Sequence, residues 1–151
     1  YIFCLLPVPT THAHHSSSAI LTLQVVNEMP IDTRPVVLGG TMSIKGDTTK
    51  FTFTGLDEYP VTKISPDPLT FTFDRTAPFS FQDKLNYKII ANWVIAEHKS
   101  QGTMQLLMNY GDYEKYIWFD LNDANKIEQT KQLFDKLAIN YFKKKDYDLT
   151  K

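Results

Sequence analysis

The stretch YKIIANWVIA, residues 87–96, decides how this chain is read. Its apolar side chains fall on both sides of an extended chain, the pattern of a central strand covered on two faces. The same length also suits a buried helix, and periodicity alone does not separate the two. Its surroundings favour the strand. Upstream, Leu21, Leu23 and Val25 alternate with Thr22 and Gln24, and Leu69–Phe73 alternates apolar residues with Thr70 and Thr72. Downstream, Thr103–Tyr110 and Glu114–Leu121 read as strands on either side of the turn signal Asn109-Tyr110-Gly111-Asp112.

Other segments fit the same pattern. Val36–Ile44 reads as a strand with a bend or bulge at Gly39-Gly40. Lys45-Gly46-Asp47-Thr48 then turns the chain into Lys50–Thr54. Shorter strands are expected within Glu58–Ile64 and Ala77–Phe81. The character changes at Asn122-Asp123, either of which can cap a helix. Beyond them Ile127, Thr130, Phe134, Leu137, Ala138 and Tyr141 recur at helical spacing, widened by Leu133 and Phe142. Lys143-Lys144-Lys145 close that helix where cations suit its dipole. The expected fold is mainly β: an antiparallel sandwich or barrel of about eight or nine strands with one C-terminal amphipathic α-helix. Small lipid-carrier barrels of the lipocalin type have a similar order and size of elements. Their Gly-x-Trp near the first strand is absent, and Trp93 and Trp118 come late in the chain.

The opening, YIFCLLPVPTTHAHHSSS at 1–18, sets the expectation for location. An apolar run is followed by Pro7 and Pro9, then Thr11 and Ala13 at the spacing a signal peptidase reads at −3 and −1. Residues 1–13 are therefore read as a signal-peptide remnant and 14–18 as a flexible leader. Residues 19–145 form a single β-rich domain, and 146–151 a polar tail. The implied setting is secreted or extracytoplasmic. Cys4, the one cysteine, lies in the apolar run, so no disulfide framework or cysteine nucleophile is expected in the body.

Cleavage after Ala13 would expose His14, whose α-amine and imidazole together can chelate copper. His15 or His98 would supply the next ligand, and Met104 and Met108 soft donors for reduced copper. Such a brace is similar to that of copper-dependent polysaccharide oxygenases and periplasmic copper carriers.

The formal net charge of −1 over 151 residues gives no basic excess for nucleic acid. No run approaches the roughly 20 apolar residues of a membrane span. Gly39-Gly40 lacks the Lys-Ser/Thr of a phosphate loop, and no Gly-x-Ser-x-Gly or His-Glu-x-x-His occurs. His98 is the sole histidine of the domain body. The carboxylates Asp57, Glu58, Asp74, Asp112 and Glu114 fall in or beside expected turns, where acids are solvated. What remains is an aromatic cluster around one hairpin, Tyr110, Tyr113, Tyr116 and Trp118, flat apolar area with polar edges. The sequence thus points to a secreted, non-enzymatic binding domain with an extracellular protein, glycan or small apolar ligand as partner. The alternatives are a lipocalin-like carrier and a copper protein using His14.

Overall fold

The computed structural model describes residues 1–138, and within them the chain is a mixed α/β protein rather than a mainly β one. Strand β1 (Ile2–Leu5) leads through Pro7 and Pro9 into helix α1 (Ala13–Asn27). Strand β2 (Val37–Ser43) then returns parallel to β1. Parallel neighbours need such a crossover. Strand β3 (Thr70–Asp74) follows, and a small hairpin of β4 (Pro78–Phe79) and β5 (Leu85–Asn86) opens helix α2 (Tyr87–Glu97). Strand β6 (Tyr113–Trp118) and helix α3 (Ile127–Leu137) complete the described chain. The main sheet has the order β1-β2-β6-β3, with β6 antiparallel to both its neighbours. It is open, with β1 and β3 at its edges. The expected sandwich or barrel of eight or nine strands is therefore corrected to one mixed four-stranded sheet plus a two-stranded hairpin.

Residues 21–25, expected as a strand, lie inside α1. Of the alternating trio only Leu23 is buried, while Leu21 and Val25 are 61% and 66% exposed. Leu23 works with Ala19 and Val26, at spacings of four and three, to make a helical stripe against the sheet. The serines of the presumed leader are ordinary helical residues on its first turns. The supposed central strand at 87–96 is α2. Asn86 caps it, its side-chain oxygen accepting from the Ile89 N–H at 3.0 Å. No residue of α2 is fully buried, so its all-round apolarity does not reflect a core position. Residues 102–107 form a 3₁₀ turn, not a strand, and 50–54 carry no regular structure. Between Glu58 and Ile64 the expected strand is replaced by a 3₁₀ turn at Pro60–Thr62. No bulge occurs at the glycine pair, because the pairing of β2 with β1 and β6 is continuous through Gly39 and Gly40. Lys143-Lys144-Lys145, Tyr141, Phe142 and the tail 146–151 lie outside the described residues.

The sheet separates two apolar layers. On the α1 side Leu6, Leu23, Val26, Val37, Ile117 and Phe119 pack together, closed off by Ile64 from the long β2–β3 connection. Gly39 permits this packing: a Cβ there would lie 2.5 Å from Leu6 Cδ1 and 3.0 Å from the Phe119 ring. On the other side Val36, Leu38, Phe71 and Trp118 meet Phe134 of α3. The Phe71 and Phe134 rings stack at 5.0 Å between centroids. Each fully buried side chain of this size contributes about 1.5–3 kcal/mol of transfer free energy. The β2–β3 connection is held by Thr62, which is wholly buried. Its hydroxyl accepts from Leu56 N–H at 2.8 Å and donates to Tyr59 C=O at 2.7 Å.

Candidate functional site

Alternation along each strand fixes which side chains share a sheet face. On β6 the residues Glu114, Tyr116 and Trp118 point to the α3 side, opposite Met42, Gly40 and Leu38 of β2. On β1 the register places Phe3 beside Leu38 and Leu5 beside Gly40, so Tyr1, Phe3 and Leu5 face the same way. Helix α3 covers only part of this face. It packs on Phe71, Trp118 and Tyr116, and Thr130 reaches the Tyr1 hydroxyl at 3.4 Å. Among the described residues, the portion toward the C-terminal ends of β1 and β2 stays open.

That open portion is a cleft of about 450 Å³ whose walls include Phe3, Leu5, Val8, Met42, Glu114 and Tyr116. Gly40 forms its floor. A Cβ at Gly40 would stand 3.3 Å from the Cys4 carbonyl and 3.6 Å from the Tyr116 ring, so the missing side chain gives the cleft its depth. Phe3 meets Tyr116 edge to face at 5.2 Å. Phe3 and Leu5 are each 49% exposed and Met42 41%.

The polar rim is internally satisfied. The Tyr116 hydroxyl donates to Glu114, whose other carboxylate oxygen lies 3.5 Å from Nε of buried Arg75. Arg75 also reaches Met42 Sδ at 3.2 Å and the Tyr110 carbonyl at 3.4 Å. Gly111 admits this approach, with φ +76° and no Cβ where the guanidinium passes. Burial, and then the adjacent Glu114 carboxylate, push the Tyr116 phenol above its ordinary value. Burial pushes the Cys4 thiol, at the same end of β1, up to about 11. Further along, Lys88 pairs with Asp112 at 2.7 Å, and the Lys45 N–H bonds the second Asp112 oxygen. Those two bonds hold the Asp112 carboxyl below the usual carboxylate range.

Of the expected aromatic cluster, only Tyr116 lines the cleft. Trp118 is a core residue against Phe71. Tyr113 points to the opposite sheet face, and Tyr110 lies exposed in the loop before β6. The cluster presumed a hairpin that does not form, because residues 102–107 are a 3₁₀ turn. His14 and His15 stand on the first turn of α1, where their rings lie 5.4 Å and 6.0 Å from that of His12. His98 caps the far end of α2 and bonds the Val94 carbonyl through Nδ1 at 2.8 Å. Among the described residues no group of three or more His, Cys, Asp or Glu is placed to hold a metal ion. Met104 is half-buried within the 3₁₀ turn and Met108 is exposed at its C-terminal end. Phe3, Leu5, Met42 and Arg75 are the site residues that sequence reasoning missed. The one available signal was the alternation that puts Glu114 on the same face as Tyr116.

No helix among the described residues is long and apolar enough to cross a membrane. No family model, no curated protein and no solved structure matches the chain.

Proposed function

We propose that this chain is a non-enzymatic binding domain whose site is the open cleft on the α3 side of the sheet, and that it takes an uncharged apolar group. The group is either a small molecule or an apolar side chain of a partner protein. The observation that carries this reading is the pairing of exposed Phe3, Leu5 and Met42 around a glycine floor. A volume of about 450 Å³ falls in the range of small-ligand pockets. Glu114 already bonds Tyr116 and Arg75, so among the described residues the rim offers no free charge to select an ion. The titratable Cys4 and Tyr116 are both pushed away from neutral pH. Acid–base and nucleophilic catalysis call for the opposite tuning. A carrier with an internal barrel cavity is not supported by an open sheet.

The test is a titration of ¹⁵N-labelled protein with indole as the apolar probe. Shifts confined to the amides of Phe3, Leu5, Gly40, Met42 and Tyr116 support the reading. Shifts that concentrate instead on α2, or a spectrum unchanged up to the solubility limit of the probe, overturn it.

A further inference from the structure

We propose that two copies of this chain join through β1, edge to edge and antiparallel, to make one continuous sheet across a two-fold axis. The inference rests on the fold alone and stands apart from the ligand reading.

The backbone supplies the first argument. Ile2 N–H donates to Val36 C=O at 2.8 Å and Leu6 N–H to Gly40 C=O at 2.9 Å. The polar groups of the even-numbered residues therefore turn toward β2. Strand alternation turns the N–H and C=O of Phe3 and Leu5 outward, away from the sheet. Such a row is a template for another strand.

The second argument is what this edge lacks. Ile2–Leu5 is short, but it carries no charge, no proline and no bulge, three of the devices that keep edges from pairing. The opposite edge is guarded: β3 ends in Asp74 and presents Thr70 and Thr72.

The third argument commits the occupant to a second copy. A two-fold axis through Phe3 sets Phe3 opposite its own equivalent and Tyr1 opposite Leu5. In that register the outward-facing residues coincide with the hydrogen-bonded pairs of an antiparallel ladder, each exchanging bonds in both directions. The axis stands perpendicular to the sheet, so the α3-side faces of both copies lie on one side. Tyr1, Phe3 and Leu5, which are 43%, 49% and 49% exposed in one chain, then cover one another across the junction. The pairing is apolar and without like-charge contact, since β1 is uncharged. It is isologous, the commonest symmetry of soluble oligomers. The clefts of the two copies become neighbours, sharing the Phe3 walls.

The experiment is sedimentation velocity of the chain over a concentration series, with four proteins compared. The wild-type chain is expected at twice its 17.4 kDa mass. Phe3→Pro removes the outward-facing N–H, which an edge strand tolerates, together with the ring that meets Tyr116, and is expected to sediment as a monomer with an unchanged circular dichroism spectrum. Phe3→Lys and Phe3→Glu each place like charges face to face and are expected as monomers, whereas their equimolar mixture restores the dimer. Should Phe3→Pro not fold, the charge pair carries the test. A wild-type chain that stays monomeric throughout the series, or charged variants that dimerise alone as well as mixed, overturns the proposal.

Discussion

Asn122 gives the sharpest test of how the two ends of the chain are joined. It is buried just beyond the end of β6, and its side-chain amide behaves as one more residue of that strand. Nδ2 donates to the Val37 carbonyl at 2.8 Å, and Oδ1 accepts from the Val37 N–H at 2.8 Å. Asn122→Ala leaves both Val37 groups without partners. Each orphaned buried group costs roughly 1–3 kcal/mol. Some water will enter the space left by the amide, so a loss of about 2–4 kcal/mol is expected, a large share of a typical 5–15 kcal/mol. Asn122→Asp retains the shape and makes the sign of the effect depend on pH. When protonated, the acid can still donate to the Val37 carbonyl and accept from the N–H. When ionised, it sets a buried negative charge against that carbonyl. Its pKa in the folded protein must therefore lie above the unfolded value of about 3.9. Between those two values the unfolded chain binds fewer protons than the native one, so stability falls as pH rises. The variant should approach wild type near pH 3.5 and be several kcal/mol weaker at pH 7. Urea unfolding followed by circular dichroism, with wild type measured at each pH, gives the difference directly. A pH-independent deficit for Asn122→Asp, or an Asn122→Ala variant within about 0.5 kcal/mol of wild type, would refute the reasoning.

Three further outcomes follow from the structure. Gly39→Ala places a methyl 2.5 Å from Leu6 Cδ1 and 3.0 Å from the Phe119 ring; overpacking of this kind costs about 1–3 kcal/mol, read as a lower urea midpoint at unchanged slope. Cys4, with its thiol pushed from 9.0 up to about 11, should react with iodoacetamide at pH 8 roughly 100-fold more slowly than after unfolding in urea. Because that thiol is held neutral in the folded state, stability should also decline as pH rises from 9 toward 11. Rapid alkylation of the native chain would contradict the seating of Cys4 against the Leu38 carbonyl.

The elements legible in the sequence are those whose pattern is set by the sheet itself. Leu69–Phe73 and Glu114–Leu121 were expected as strands and correspond to β3 and β6, and Val36–Ile44 to β2. The helix expected after Asn122-Asp123 is α3, entered through a 3₁₀ turn at Ala124–Lys126. One physical origin of the failures is that residues two apart and residues four apart share members. Leu21, Leu23 and Val25 satisfy a period of two, yet Leu23 alone turns inward, and the residues that make the helical stripe with it include Ala19, too small to register as a core position. In 87–96 apolar residues surround the helix, so no period exists to be read. The local sign was Asn86, whose cap on Ile89 commits the backbone to a helix.

The site was illegible for a different reason, which bears on what the cleft is for. Tyr116 meets Phe3 only because residues 1–6 form a strand and seat Leu6 in the core. That pairing is long-range, and the same residues carry the composition of a leader. Within the sheet the chain turns polar side chains outward on the far edge strand, as at Thr70 and Thr72, although on the helices Leu21, Val25, Trp93 and Val94 are exposed as well. On β1 and β2 it does the reverse, leaving Phe3, Leu5 and Met42 together in the open beside a side-chain-free floor. At about 25 cal/mol per Å², covering a patch of this kind releases free energy that the folded chain alone does not collect. An apolar group in the cleft collects it, and so does a second β1 alongside the first. The two differ in what they bury. An apolar group in the cleft covers Gly40 and Met42 and leaves the outward N–H groups of β1 bare, whereas strand addition protects the Phe3 and Leu5 amides from exchange and leaves the Gly40 floor open.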